Sequence, residues 1–297
     1  MTKLRSRPRT YQVGVFLVIL ATIGSSFSGM FVRVLPELNG WQINCWRSFW
    51  MSISLLIYLT FRYGSATGEA FRKVHRPAPL AVALFFAACS TAYVTSLTLT
   101  SVADVAALVA LSPIFTALLS RRVTGERANA ATWIAAFLAL GGVVVVMEDG
   151  FAAGHWFGNL LALFVALTFA GQTVLLRRFR ELDMVPAICI GGVLVFMVAG
   201  LFGGGFNISA KSMLILALMG SLQLGIPLIL FVRSAASVPA VTLSLIVLLD
   251  IILNPLWAWI GSGEVPTLEA SAGAGIIVAA VVLSILGGKW MISRRIL

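Results

Sequence analysis

The chain has 297 residues, of which 60% are hydrophobic and only 11% are charged, and its mean hydropathy is +1.00. This composition excludes an ordinary soluble domain and indicates an integral membrane protein. The net charge of +10 could suggest a nucleic-acid partner, but the distribution of the basic residues argues against one.

Long apolar segments follow one another through nearly the whole chain. A helix needs roughly 20 apolar residues to cross about 30 Å of hydrocarbon, and ten segments have about that length. They do not alternate between polar and apolar residues, so they predict helices rather than strands. The predicted fold class is an all-α polytopic bundle with ten transmembrane helices. The predicted spans are 11–32, 41–61, 79–99, 102–120, 128–147, 156–177, 184–203, 211–232, 238–260 and 268–288.

Lys and Arg residues concentrate on one side of the membrane if the N-terminus is inside. They occur before the first span and then in every second connection, as in RRFRELDM after the sixth span. Cytoplasmic segments of membrane proteins carry such an excess. The charge therefore predicts a multi-pass protein of the inner membrane with both termini in the cytoplasm, and it requires no nucleic-acid partner.

Two stretches of the chain, residues 14–45 and 158–189, align with each other without a gap and with matching hydropathy. Further on, the Gly-Glu pair at 125–126 corresponds to the pair at 263–264. Each half then holds five spans, and this odd number turns the second half over in the membrane, as in many secondary transporters. We predict a first five-helix repeat over residues 1–150 and a second, inverted repeat over residues 151–297.

A single carboxylate, Asp250, interrupts the apolar segment LLDIILNPLWAW of the ninth span. By helix rise it lies roughly 15 Å below the outer end of the span, where a carboxylate costs about 2.5 to 3.5 kcal/mol to insert. Protonation, pairing with Arg47, or a water-filled cavity shared with a substrate ammonium would compensate; a satisfied contact between helices is the competing interpretation. We expect Asp250 to face a central cavity and to serve proton coupling or amine recognition, with Asn254 one turn further on the same side.

Other polar groups at mid-membrane depth are candidates for the lining of the same cavity. Serine and threonine also join ordinary helix contacts, glutamine is rarer in hydrocarbon, and an arginine such as Arg47 can instead extend toward the interface. Tyr93 could hold an aromatic substrate by ring contact, whereas Trp257 and Trp259 could do so or belong to the interfacial aromatic belt. The predicted substrate-binding residues are Ser25, Ser28, Arg47, Tyr93, Gln172, Gln223, Asp250 and Asn254.

Three prolines, Pro113, Pro227 and Pro255, lie inside predicted spans and are candidate hinges. Proline removes a backbone hydrogen bond and kinks a helix, and kinks at corresponding places of two repeats can open a midplane cavity. The alternative is that they only help the helices to pack. Glu126 and Glu264 stand at the starts of helices, where the helix dipole favours a carboxylate, so we expect a structural role for both.

Residues for catalysis, metal binding or cofactor binding do not converge in this sequence. Cys45, Cys89 and Cys189 lie in predicted spans without a metal-ligand pattern, and His75 and His155 fall in loops on opposite sides. No Walker A motif occurs, so an ion gradient, protons included, or the gradient of the substrate would drive transport. We expect no cofactor, no metal and no catalytic residue, and the oligomeric state stays open.

Three motifs carry a resemblance to a known family: SSFSGMFVRVLP, followed by an Arg-bearing second span, ALSPIFTALLSRRVTGE and NPLWAWIGSGE. With the repeat of five and five helices they resemble the drug/metabolite transporter superfamily, EamA type, and NPLWAW is similar to the YddG-type exporters of aromatic amino acids. The resemblance implies a secondary transporter that exports small amphipathic metabolites, amino acids and aromatic ones among them, by alternating access. Efflux of drugs or toxic compounds is the alternative. A membrane-embedded enzyme and a channel rank lower, because neither convergent catalytic residues nor a selectivity filter is found.

Overall fold

The computed structural model describes residues 8–126, 156–203 and 207–263, with a few isolated positions outside these ranges. Every regular element in them is helical, so the protein is all-α. The predicted spans 128–147 and 268–288 lie almost entirely outside the described residues, and ten spans stay a prediction. Six segments of the described chain are long and apolar enough to cross a membrane, which makes the protein polytopic: Thr10–Arg33, Pro77–Leu99, Trp156–Arg178, Val185–Phe202, Ala210–Ala235 and Ala240–Gly261.

The helices are numbered in chain order. A π-helical segment, Met219–Gly225, joins α10 to α11, and short 3-10 turns at Gly64–Ala66 and Lys73–His75 flank α4. The described ranges contain α1 (Pro8–Ser25), α2 (Ser28–Arg33), α3 (Gly40–Tyr63), α4 (Thr67–Arg72), α5 (Pro77–Leu99), α6 (Val102–Val109), α7 (Ser112–Val123), α8 (Trp156–Arg178), α9 (Val185–Phe202), α10 (Ala210–Leu218), α11 (Ile226–Ala235), α12 (Ala240–Val247) and α13 (Asp250–Ser262).

Three predicted spans consist of two consecutive helices each. The first span is divided between α1 and α2, the fourth between α6 and α7, and the ninth between α12 and α13. The eighth span is continuous but carries the π-helical segment near its middle. Interrupted helices expose backbone groups at membrane depth, which is tolerated where they line a cavity or are buried in protein.

Local hydrogen bonding explains where the interruptions fall. Before α2, the hydroxyls of Ser25 and Ser26 donate to carbonyls three residues back at 3.1 and 2.7 Å, in competition with the helical ladder. At the start of α7, Pro113 occupies the first turn, where its missing N–H costs nothing. Before α13, the N–H groups of Leu248 and Leu249 donate to carbonyls three residues back, at 3.2 and 3.1 Å, which tightens the chain into a 3-10 turn.

The interruptions of the fourth and ninth spans correspond to each other in sequence. After each of them one helix runs to a glycine with left-handed backbone, Gly125 at φ 70° and Gly263 at φ 75°. Glycine is favoured in this conformation and ends helices there. These are the glycines of the two Gly-Glu pairs, so the local geometry supports the predicted repeat.

Two clusters of buried apolar residues stabilise the bundle. One cluster includes Val32, Leu97 and Val105, near the junctions between α2 and α3 and between α5 and α6. The other includes Leu59, near the C-terminal end of α3, and Met184, directly before α9. Around them α8 packs against α5, α6 and α7, α9 packs against α3 and α5, and α1 packs against α11. The candidate site lies between the two clusters.

Arg177, at the end of α8, connects three parts of the chain. Its Nε donates to Glu126 Oε1 at 2.8 Å, and its NH1 donates to the carbonyls of Ala235 and Ala236 at 3.2 and 3.0 Å. Glu126 therefore pairs with an arginine, and the helix that it was expected to cap begins outside the described residues. Glu264 also lies outside them.

Candidate functional site

A cavity of about 170 Å³ lies where the interrupted helices meet. Its walls come from α1, α2, α3, α5 and α6 on one side of the predicted repeat boundary, and from α8, the π-helical segment, α11, α12 and α13 on the other. Seven of the eight predicted substrate-binding residues line it: Ser25, Ser28, Arg47, Tyr93, Gln172, Gln223 and Asp250. The eighth, Asn254, lies next to the lining and bonds to three of its members.

Aromatic side chains form the apolar wall, and the sequence analysis missed them. Phe86, Phe169 and Phe231 line the cavity beside leucine and valine side chains. A signal was present, because Phe86 lies one helical turn from Ser90 and Phe169 lies one turn from Gln172, on the same helix faces. The hydropathy of phenylalanine does not distinguish it from the other apolar residues of a membrane span. Only the neighbouring polar residues therefore indicate which helix faces line the cavity.

A compact polar cluster closes one end of the cavity. The hydroxyls of Ser28 and Tyr93 are 2.7 Å apart, and Asn254 Nδ2 lies 3.1 Å from the first and 2.9 Å from the second. Asn254 Oδ1 accepts a hydrogen bond of 2.8 Å from the backbone N–H of Gly29. One amide therefore joins α2, α5 and α13, and it satisfies a backbone donor close to the interruption of the first span.

Asp250 is the first residue of α13. Its Oδ2 accepts a long hydrogen bond of 3.4 Å from Asn254 Nδ2, and its buried Oδ1 has no partner among the described residues. The N-terminus of a helix carries partial positive charge, which stabilises a carboxylate. The helix interruption thus supplies a source of compensation for this acid that the sequence analysis did not consider.

Arg47 is 2% exposed and points into the bundle instead of extending toward the interface. Its NH2 donates to Ser90 Oγ at 2.6 Å, and its buried Nε has no hydrogen-bond partner within the described chain. No salt bridge joins Arg47 to Asp250 in the part of the chain that the structure describes. The expected pairing of the two charges is therefore not made, although both line one cavity.

Gln172 and Gln223 lie on other parts of the cavity wall. Gln223 is 4% exposed, its Nε2 donates to the carbonyl of Ser25 at 2.7 Å, and its Oε1 has no partner in the described residues. Gln172 is buried in the wall formed by α8. Gln223 belongs to the π-helical segment, and such segments occur frequently at functional sites.

The three candidate hinge prolines occupy different positions. Pro227 follows the π-helical segment and lines the cavity. Pro113 lies in the first turn of α7, directly after the interruption of the fourth span. Pro255 lies inside α13, well after the interruption of the ninth span. Only Pro227 contacts the cavity, and none of the three is tested as a hinge.

Helices α2 and α13 pack directly on each other beyond the polar cluster. The rings of Phe27 and Trp257 stack at 4.5 Å with 16° between their planes, and Trp257 Nε1 donates to Ser26 Oγ at 2.9 Å. Trp257 is thus engaged inside the bundle, whereas Trp259 is 48% exposed, as a belt residue would be. Ser26 and Phe27 directly precede α2, which itself packs against α13, and we call the contact of residues 26–33 with Asp250–Ser262 the α2–α13 seal.

The side chains of the cavity are of types that bind small molecules. Within the described ranges, no group of three or more His, Cys, Asp or Glu side chains could hold a metal ion. The cavity offers one carboxylate, one guanidinium, amides, hydroxyls and phenyl rings, and these groups can bind an amphipathic molecule.

A sequence model described as the EamA-like transporter family matches residues 12–148 and again residues 153–286. The chain belongs to the EamA-like transporter family. Because the family unit occurs twice, the match also indicates an internal repeat. The protein is therefore a multi-pass membrane transporter of a small molecule, and EamA proteins are transporters rather than enzymes.

Two relatives illustrate the range of the EamA family. The uncharacterized transporter YdfC of Bacillus subtilis strain 168 is 29% identical over 191 residues, which are 60% of this chain and 61% of that protein. The alignment thus spans less than two thirds of the Bacillus protein. The S-adenosylmethionine uptake transporter of Rickettsia bellii strain RML369-C is 24% identical over 294 residues, which are 97% of this chain and 98% of that protein.

A solved crystal structure has the same fold as this EamA transporter. It superimposes with a TM-score of 0.73 and covers 95% of this chain and 98% of its own chain, at 20% sequence identity. At that identity the likeness establishes the fold alone.

Proposed function

We propose that this EamA transporter exports small amphipathic metabolites, amino acids and aromatic ones among them, across the inner membrane by alternating access through the described cavity. One observation carries the proposal: polar groups from both halves of the chain converge with three phenyl rings on one cavity at interrupted helices. Discontinuous helices that meet near the midplane are the usual substrate sites of transporters built from inverted repeats.

The volume of the cavity supports a substrate with a single aromatic ring. A cavity of roughly 150 Å³ lined by apolar side chains accepts benzene in another protein, and this one measures about 170 Å³. Phe86, Phe169 and Phe231 can contact a ring in offset or edge-to-face geometry. The polar groups on the other walls can bind the charged part of a metabolite.

Asp250 is our candidate for coupling or amine recognition. The residue lines the cavity, and its buried Oδ1 has no hydrogen-bond partner among the described residues. A carboxylate that binds either a proton or an ammonium group would exchange one for the other. Such exchange would drive export by proton entry.

Flux measurements in proteoliposomes test this proposal directly. We expect saturable transport of aromatic amino acids by the wild-type protein. The Asp250→Asn variant should lower the flux and flatten its pH dependence, with expression and melting temperature nearly unchanged. Glu69→Gln, the same chemical change at an exposed residue of α4, should leave both properties as in the wild type. Normal, pH-responsive flux in Asp250→Asn would exclude the coupling role, and loss of folded protein would favour a structural role for this acid.

A second candidate function is uptake of S-adenosylmethionine, as in the Rickettsia relative that aligns over 97% of this chain. This molecule also carries an ammonium and a carboxylate, but its adenosyl group is far larger than a phenyl ring. Proteoliposomes loaded with S-adenosylmethionine or with phenylalanine separate the two candidates. Efflux of toxic organic cations by the same cavity predicts instead that flux does not depend on a substrate carboxylate.

A further inference from the structure

The buried side chain of Arg47 and the partly buried side chain of Asp250 share the cavity without forming a salt bridge. Arg47 on α3 and Asp250 on α13 both line it, and no salt bridge between them occurs among the described residues. An isolated charge in a membrane interior is unfavourable and normally finds a partner. Among the described residues, therefore, neither the positive nor the negative group has a counter-ion within salt-bridge distance.

Neighbouring side chains orient each of the two charges and leave part of it free. Ser90 accepts the NH2 donor of Arg47 at 2.6 Å, while the Nε donor stays unpartnered in the described chain. Asn254 donates to Oδ2 of Asp250 at 3.4 Å, while Oδ1 stays unpartnered there. The Tyr93 hydroxyl, bonded to Ser28 and Asn254, lies on the same cavity. Each charge thus contacts one neighbouring side chain, and one of its polar atoms stays buried without a partner in the described chain.

We infer that Arg47 and Asp250 form a dipolar clamp for a zwitterion, with the substrate carboxylate at Arg47 and the substrate ammonium at Asp250. A planar guanidinium suits a carboxylate, and a carboxylate accepts several donors from an ammonium group. A zwitterion supplies both missing counter-ions at once, whereas a molecule with one charge leaves the other position unpaired. The clamp therefore selects free α-amino acids, and Phe86, Phe169 and Phe231 receive their side chains.

This inference rests on the proposed function and adds the charge pattern of the substrate to it. It separates three classes of molecule that amphipathic character alone does not separate: zwitterions, amines and carboxylates. A site that leaves a buried polar group unpaired rejects the wrong ligand strongly.

Competition binding with a matched set of ligands tests the clamp. The wild-type protein in nanodiscs is saturated with radiolabelled L-phenylalanine, and unlabelled L-phenylalanine, phenethylamine and 3-phenylpropionate then compete. Phenethylamine lacks the carboxylate and 3-phenylpropionate lacks the ammonium, while the ring is the same. We expect each of them to bind at least tenfold more weakly than phenylalanine. A leucine set, with isoamylamine and 4-methylpentanoate, repeats the comparison without an aromatic ring.

Two variants then assign the two ends. Arg47→Gln should lose the preference for phenylalanine over phenethylamine and keep the preference over 3-phenylpropionate. Asp250→Asn should show the opposite pattern. The control variants Arg72→Gln and Glu69→Gln make the corresponding charge-removing changes at exposed residues of α4. They should keep both preferences.

The outcomes distinguish this inference from the proposed function. If phenylalanine and leucine bind but the amines and acids bind equally well, the clamp is wrong and the proposed function stands. If both cavity variants weaken all three ligands by the same factor, the side chains act only on the fold and the clamp is also wrong. If neither amino acid binds, the proposed function fails together with the clamp. The wild-type comparison alone decides the matter if a variant does not fold.

Discussion

Asn254 shows how one side chain supports both the fold and the candidate site. Its carbonyl oxygen accepts the backbone N–H of Gly29, and its amide lies within hydrogen-bond distance of Ser28, Tyr93 and Asp250. The residue is only 1% exposed, so no water replaces these partners if the amide is removed. A buried donor without a partner is more unfavourable than the lost bond itself.

Replacement of this amide should therefore destabilise the protein. We expect Asn254→Ala to lower the free energy of unfolding by about 1 to 3 kcal/mol, because the Gly29 N–H stays buried without an acceptor. The measurement is reversible unfolding in mixed micelles. Asn207→Ala, the same change at an exposed residue outside the helices, should shift the free energy by less than about 0.5 kcal/mol. Equal effects in the two variants would contradict the role assigned to Asn254.

The positions of the polar site residues could be predicted from the sequence, and their partners could not. A polar group is expensive in hydrocarbon, so Arg47, Gln172 and Asp250 stand out in any apolar span and are expected to face one interior. Which groups bond together depends on helix rotation and on the interruptions. The hydrogen bond that Arg47 donates to Ser90 and the phenyl wall therefore emerged only from the structure.

Among the helices, the three interrupted spans are the feature that hydropathy did not predict. Hydropathy predicted the spans because the length of an apolar run is set by bilayer thickness, and helices cover most of the predicted first, third, sixth and seventh spans. The interruptions were missed because they depend on hydroxyl and amide groups that bond locally or across helices, as at Ser26 and Asn254. Hydropathy averages over such single bonds.

If the proposed alternating access takes place through the cavity, the α2–α13 seal is the contact that we expect to open. A Cβ atom built on Gly261 would lie 3.6 Å from Met30 Cβ, which is within the range of about 3.5 to 4.5 Å for a disulfide. We expect a Met30→Cys, Gly261→Cys double variant, in a background without native cysteines, to form a disulfide on oxidation and to lose transport. Reduction should restore the flux. Undiminished transport by the fully cross-linked protein would show that the seal does not open during the cycle.

Topology is the prediction that belongs to the whole molecule. If basic residues place both termini in the cytoplasm, the connection near Gly150 faces outside. A single cysteine introduced there should react with a membrane-impermeant maleimide in intact cells, whereas one at Ser6 should react only after lysis. The reversed pattern would contradict both the orientation and the charge argument.

On the outer side, by this topology, another contact joins the two halves. The Ser212 hydroxyl donates to Glu37 at 2.6 Å, and this bond holds the pKa of the Glu37 carboxyl below its ordinary value. On the opposite side Arg177 joins Glu126 to the end of α11. Side-chain contacts thus join the two halves of the described chain on both sides of the cavity.

The central claim is that substrate occupies this cavity, and a native thiol gives the most direct test. Cys89 lines the cavity, while Cys45 and Cys189 are buried elsewhere in the bundle. With those two replaced by serine, the rate at which N-ethylmaleimide modifies Cys89 should fall as phenylalanine is added, with half protection at the concentration that gives half-maximal transport. A modification rate that does not change at saturating phenylalanine, in protein that still transports it, would contradict the account.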